Sequence, residues 1–136
     1  MKQKTKQKIF FIVITLLIFL SIFVVSDIYL EKFYLFEWTK RNHYWGMWLI
    51  AIVFIMANKI FISFSVTIGN LIGLILGQYV GDWIRNKTMS QIVPSMDAQT
   101  IYELHHHPGV EIWLLTIASF LLTGIVVNCI WRKSKT

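Results

Sequence analysis

Residues 60–81 have the sequence IFISFSVTIGNLIGLILGQYVG, in which glycine recurs at every fourth position from residue 69. Residues four apart lie on one face of an α-helix and drift by about 40° per step. Glycines at this spacing form a smooth groove, and small-residue faces of this kind bring helices together in membranes, where hydrophobic association is absent. We therefore predict a helix-packing surface, a glycine zipper, formed by Ser65, Gly69, Gly73, Gly77 and Gly81.

The composition of the whole chain indicates an integral membrane protein. Of its 136 residues, 56% are hydrophobic and 15% are charged, whereas a soluble domain is about 45–50% apolar and about 25% charged. A water-soluble core of this size could not enclose so much apolar surface. Its one cysteine excludes an internal disulfide framework and a multi-cysteine metal centre. We expect a single membrane domain over residues 1–136.

Uncharged runs long enough to cross a bilayer, about 20 residues, occur four times, and only Lys59 separates the second from the third. A single helix through both runs would be roughly 60 Å long, about twice the hydrocarbon thickness. We therefore predict a hairpin turn at Asn58–Lys59, because asparagine tolerates left-handed backbone angles. The predicted fold is all-α, with transmembrane helices at approximately 9–26, 42–58, 60–81 and 111–131.

Lysine and arginine predict the orientation, since cytoplasmic segments retain basic residues. With the N-terminus inside, eight of the 13 basic residues are cytoplasmic, and all seven acidic residues lie outside. Four spans then place both termini in the cytoplasm. The 21 isoleucines and the excess of lysine over arginine are typical of AT-rich bacterial genomes, so we expect a bacterial plasma membrane. The inner basic residues are Lys2, Lys4, Lys6, Lys8, Lys59, Arg132, Lys133 and Lys135.

The basic N-terminus and first apolar run also resemble a signal peptide, with small residues before Asp27. Because this run exceeds the usual length of about 7–15 residues, we favour a retained first span. Tryptophans and tyrosines near the span ends are expected to anchor at the headgroups. We therefore expect the basic residues to set the orientation of the chain and to contact the lipid bilayer, and we expect no nucleic-acid partner.

The fourth span offers a partner for the glycine face within the chain. Ser119 and Thr123 recur at helical spacing there, and Asn70 and Gln78 beside the glycines should seek hydrogen bonds across helices. The alternative partner is a second copy of the chain or another membrane protein.

The outer loop, residues 82–111, is predicted to contain a short amphipathic helix that begins at Ser95 as N-cap and stops before Pro108–Gly109. Asp82 and Arg85, three residues apart, predict a surface ion pair.

Three consecutive histidines in this loop raise the question of a metal site. On a helix they fan over about 200° and cannot all reach one ion. Glu103, His106 and His107 fall within about 100° of one another and form a candidate set of two histidines and one carboxylate for a divalent metal. His107 precedes Pro108, which biases it away from helical geometry. pH sensing by histidine and a solvated helix end remain alternatives.

No phosphate-binding loop, nucleophile elbow or zinc-protease helix is present in the sequence, and no catalytic residue is assigned. The spans carry no Asp, Glu, Lys, Arg or His except at their edges, whereas ion and proton pathways commonly use such a residue. We expect a non-enzymatic subunit or accessory of a membrane assembly that packs through its glycine helix. The alternatives are a small channel, holin-like pore or transporter, and a metal-binding or metal-dependent protein at the outer loop.

Overall fold

The computed structural model describes residues 2–42 and 44–133. Lys135 and position 43 of the predicted second span lie outside this range. The described residues contain no strand, which confirms the all-α class. The helices are α1 (Lys2–Ile28), α2 (Tyr34–Asn42), α3 (Tyr44–Met56), α4 (Ile60–Met89), α5 (Ala98–Leu104) and α6 (Gly109–Lys133).

The longer helices alternate in direction, as contacts near their ends show. Lys8 Nζ in α1 donates a hydrogen bond to the Met56 carbonyl at the end of α3, at 2.9 Å. The rings of Phe61, at the start of α4, and Trp131, near the end of α6, lie 5.4 Å apart. The start of α1 and the end of α6 therefore lie at the same end of the bundle, which we call the terminal end.

The opposite end of the bundle is formed by the last turn of α1, by α2 and by the beginning of α6. Asp27 in the last turn of α1 forms an ion pair with Lys40 of α2. Leu35 of α2 contacts Gln78 of α4, and Gly77 of α4 adjoins Gly109, the first residue of α6. We call this the network end, because it carries the polar network described below.

Three helices, over residues 5–28, 60–89 and 109–131, are long and apolar enough to cross a membrane. The predicted span at 42–58 differs: α3 has only 13 residues, about 20 Å against about 30 Å of hydrocarbon, because residues 34–42 form a separate helix before it. α4 extends beyond the predicted residue 81 to Met89, since residues 82–89 contain neither proline nor glycine to stop it.

The connection between α3 and α4 contains the predicted turn. Asn58 has a φ of 58°, the left-handed region that asparagine enters more readily than most residues. This confirms the turn inferred from the single charge between the two apolar runs.

The short helix predicted within residues 82–111 begins later than expected, at Ala98. Its N-cap is Asp97, whose carboxylate accepts hydrogen bonds from Thr100 N at 2.9 Å and Thr100 Oγ1 at 2.8 Å. The prediction of Ser95 as N-cap was therefore wrong. Asp97 is the cap because Thr100, three residues later, donates to its carboxylate from both the backbone amide and the side-chain hydroxyl. Pro108 directly precedes α6, and its carbonyl accepts the first hydrogen bond of the helix from Ile112 N.

The core is shared by α1, α2, α3, α4 and α6. Leu35, Leu74 and Trp113 are at most 1% exposed and belong to one apolar cluster. The outward faces of α1 and α6 are apolar and exposed, since only 17% of the most apolar 18 residues of each helix is buried. Such faces suit contact with lipid. This architecture is compatible with a small membrane protein.

Candidate functional site

The glycine face of α4 lies directly against α6. A Cβ added at Gly69 would lie 2.7 Å from Phe120 Cβ, and one at Gly73 would lie 3.0 Å from the Trp113 carbonyl oxygen. At Gly77 the Gly109 carbonyl oxygen would be 2.5 Å away. These positions leave no room for a side chain, and the two backbones approach as closely as small-residue packing allows.

The groove of α4 receives mainly large side chains from α6. Trp113 and Phe120 stand over the glycines, while Ser119 and Thr123 are exposed and bond to the carbonyls of Leu115 and Ser119 in their own helix. A groove without side chains has room for large ones, so small residues were not required on both helices. Sequence reasoning from small residues alone therefore missed Trp113 and Phe120.

At Ser65 the arrangement is reversed, and the small residue of α6 is the glycine. A Cβ added at Gly124 would lie 2.7 Å from Ser65 Cβ and 2.6 Å from Ser65 Oγ. The contact surface therefore extends from position 65 to position 81 along α4.

A buried hydrogen bond joins α4 and α6 within this surface, at Asn70. Trp113 Nε1 donates to Asn70 Oδ1 at 3.0 Å, and both side chains are at most 1% exposed. Asn70 Nδ2 is buried with no hydrogen-bond partner among the described residues. The amide beside the glycines thus bonds across helices, as the sequence predicted.

The glycine face ends in a polar network that begins at α2. Leu35 N, in the first turn of α2, donates to Gln78 Oε1 at 2.7 Å. Gln78 Nε2 in turn donates to Asp82 Oδ2 at 2.6 Å, one turn along α4. Gln78 is only 1% exposed, so the oxygen and the nitrogen of its side-chain amide both form hydrogen bonds in the protein interior.

The second branch of the network begins at α6. Gly109 N donates to His107 Nδ1 at 3.1 Å, and His107 Nε2 lies 3.1 Å from Asp82 Oδ1. Because an amide N–H can only donate, Nδ1 is the acceptor and the ring proton is carried by Nε2. His107 therefore donates to Asp82, and both branches converge on this carboxylate.

The network satisfies backbone groups that helices leave unpaired. The first N–H groups of an α-helix have no partner within the helix, and Leu35 and Gly109 lie in the first turns of α2 and α6. Their acceptors are the side chains of Gln78 and His107. The network thus ties two helix starts to α4.

Glycines also make room for the imidazole of His107. A Cβ added at Gly81 would lie 2.5 Å from His107 Cε1, and one at Gly109 would lie 2.6 Å from the same atom. The Tyr34 ring covers the imidazole with a centroid separation of 4.4 Å and an interplanar angle of 38°. The space left by the missing side chain of Gly81 is therefore occupied by the His107 imidazole.

The predicted ion pair between Asp82 and Arg85 is replaced by this network. Both carboxylate oxygens of Asp82 are engaged by Gln78 and His107. Arg85 Nε is buried with no hydrogen-bond partner among the described residues. The interior donors outcompete an exposed pair of this kind, which contributes at most about 1 kcal/mol.

The three candidate metal ligands each contact a different side chain. Glu103 Oε1 accepts from Gln99 Nε2 at 3.2 Å, His106 Nε2 lies 2.9 Å from Glu111 Oε1, and His107 bonds as described. Within residues 2–42 and 44–133, no group of three or more histidine, cysteine, aspartate or glutamate side chains has a metal-binding arrangement. Metal binding by Glu103, His106 and His107 stays a prediction.

Comparisons with protein-family models, with curated proteins and with solved structures found no match to this chain.

Proposed function

We propose that the chain is a four-span membrane protein that serves as a small, non-enzymatic subunit or accessory of a membrane assembly. The observation that carries this proposal is the filling of the glycine groove within the chain, by α6 at Gly69, Gly73 and Gly77 and by His107 at Gly81. A groove filled within the chain builds a rigid helix pair, which suits a structural role.

The polar side chains of the α4–α6 seam argue against a water-filled path through it. Thr67 Oγ1 bonds to the Ser63 carbonyl at 2.9 Å, Asn70 accepts from Trp113, and Gln78 bonds to Leu35 and Asp82. All three side chains are 1% exposed. A channel lining needs polar groups that face water, so the accessory role is favoured over the channel, holin-like pore or transporter.

In the proposed topology, α1, α3, α4 and α6 cross the bilayer in alternating directions. The contacts of Lys8 with Met56 and of Phe61 with Trp131 support placing both termini on one side, and the basic residues favour the cytoplasmic side of a bacterial plasma membrane. The 13 residues of α3 need local thinning of the bilayer or help from α2. α5 then lies on the outer side, at the network end.

Partners are proposed to contact the outward faces of α1 and α6. The glycine face is occupied by α6, whereas the outward faces are apolar and largely exposed. The partner is a second copy of the chain or another membrane protein, and the bilayer covers the rest.

The test is purification from the native membrane in mild detergent, followed by identification of bound proteins and reconstitution of the chain alone into liposomes. We expect a stoichiometric protein partner or oligomer and no solute leak. A solitary monomer that releases a trapped dye would favour the pore. Stoichiometric metal lost in a Glu103→Ala/His106→Ala variant would favour the metal-dependent alternative.

A further inference from the structure

A polar cavity of about 240 Å³ lies at the network end, and the imidazole of His107 forms part of its wall. It is formed where α2, the last turns of α4 and the end of α5 meet. Its lining contains basic and hydroxyl-bearing side chains and no carboxylate: Tyr34, Arg85, Tyr102, His105, His106 and His107.

The lining is suited to an anion. Arginine presents a planar fork of N–H donors that matches phosphate oxygens, and Asp82, the nearest acid along α4, is engaged by Gln78 and His107. Arg85 Nε is buried with no hydrogen-bond partner among the described residues. Two carboxylates contact histidines of the lining: Asp82 Oδ1 is 3.1 Å from His107 Nε2 and Glu111 Oε1 is 2.9 Å from His106 Nε2. Neither carboxylate lines the cavity itself.

The cavity also lies at the depth of lipid headgroups in the proposed topology. The uncharged run of α4 ends at Gly81, and Arg85 follows four residues later, a rise of about 6 Å beyond the hydrocarbon. Tyr79 and Trp83, which flank this point, are 61% and 63% exposed. Exposed aromatic side chains of this kind mark the membrane interface.

We propose that this cavity binds a phosphate group, with Arg85 as the principal donor. A volume of about 240 Å³ exceeds that of several waters at about 30 Å³ each, enough for a phosphate and its nearest substituents. The phosphate belongs either to an anionic lipid headgroup or to a free phosphate, and the experiment distinguishes these sources.

The test uses the full chain in a neutral detergent and measures phosphatidylglycerol and phosphatidylcholine binding by native mass spectrometry, with inorganic phosphate as competitor. Arg85→Gln should weaken phosphatidylglycerol binding about tenfold, because it removes a charge-assisted contact. Lys87→Gln is the matched control: it removes one charge from the same helix, and Lys87 lies over the Trp83 ring, outside the cavity lining. It should change binding by less than about twofold.

Preference for phosphatidylglycerol that inorganic phosphate does not displace supports a lipid source, and binding of inorganic phosphate that Arg85→Gln abolishes supports a free one. Equal losses in Arg85→Gln and Lys87→Gln, or binding of neither probe, would overturn the proposal. If Arg85→Gln does not fold, His105→Gln replaces it, because His105 is exposed and lines the cavity. Phosphatidylglycerol binding unchanged in that variant would also overturn the proposal.

Discussion

His107 Nε2 and Asp82 Oδ1 lie 3.1 Å apart, although 24 residues separate them along the chain. The histidine side chain is 4% exposed, and its other ring nitrogen accepts the first backbone N–H of α6. This contact therefore connects the start of α6 to α4 at the network end. The glycine face and the hydrogen bond between Trp113 and Asn70 add further contacts between these helices.

A double-mutant cycle at this pair should show strong coupling. His107→Ala leaves the Gly109 amide without its acceptor, which costs about 1–3 kcal/mol, and Asp82→Ala removes the acceptor of His107. Together the two changes should cost less than their sum, with a coupling energy of about 0.5–3 kcal/mol. Unfolding in detergent, followed by tryptophan fluorescence, measures all four proteins. Additive effects would contradict the network, and His105→Ala, at an exposed neighbour, serves as control.

Gly81→Ala should destabilise the chain, because the added Cβ would meet His107 Cε1 at 2.5 Å. Overpacking of a close contact typically costs about 1–3 kcal/mol. The control is Gly46→Ala in α3, where a Cβ would meet nothing within 4 Å and alanine should be neutral or stabilising by up to about 1 kcal/mol. Thermal unfolding in detergent compares the two variants. Equal melting temperatures for both would show that His107 does not pack directly against Gly81.

Trp113→Phe should cost about 0.6 kcal/mol, the average for a hydrogen bond between membrane helices, and up to about 1.7 kcal/mol, plus the packing lost with the smaller ring. The substitution removes the indole N–H that donates a hydrogen bond to Asn70 Oδ1. Trp83→Phe makes the same chemical change at a side chain that is 63% exposed and should be close to neutral. Denaturant titration of both variants measures the difference, and equal stabilities would contradict the buried hydrogen bond.

The cap of α5 should weaken in acid. Hydrogen bonds from the Thr100 amide and hydroxyl lower the pKa of Asp97 below the ordinary value of 3.8. The cap therefore contributes fully above that ordinary value and is lost as the pH falls through the lowered pKa. The Thr100 amide resonance, followed by NMR during acid titration, reports this change. Asp97→Asn keeps a capping oxygen without a titrating group, so its Thr100 amide should not show this transition.

Periodicity predicted those parts of the fold that depend on neighbours along one helix. The spacing of four residues predicted the glycine face of α4. The single charge between two apolar runs predicted the turn at Asn58. Both depend on local geometry, which residue order encodes directly. The length of α3 was less predictable, since apolar composition does not reveal that residues 34–42 form a helix of their own.

The polar network could be predicted only in part. Gln78 and Asp82 are four residues apart and therefore share a face of α4, which is a readable signal. The placement of His107 beside Asp82 depends on how α6 packs against α4, and no local pattern encodes that distance. Asp82 consequently looked like a partner for Arg85, the nearest basic residue on the same helix.

The central claim is that the glycine face of α4 packs against α6 of the same chain. A direct measurement is disulfide formation between Ser65→Cys and Gly124→Cys, with Cys129→Ser to remove the exposed natural thiol. A Cβ at position 124 lies 2.7 Å from Ser65 Cβ, so a small shift reaches the disulfide separation of about 3.8 Å. Mass spectrometry of the oxidised protein should show a cross-linked monomer. Cross-linked dimers without a cross-linked monomer would contradict the account.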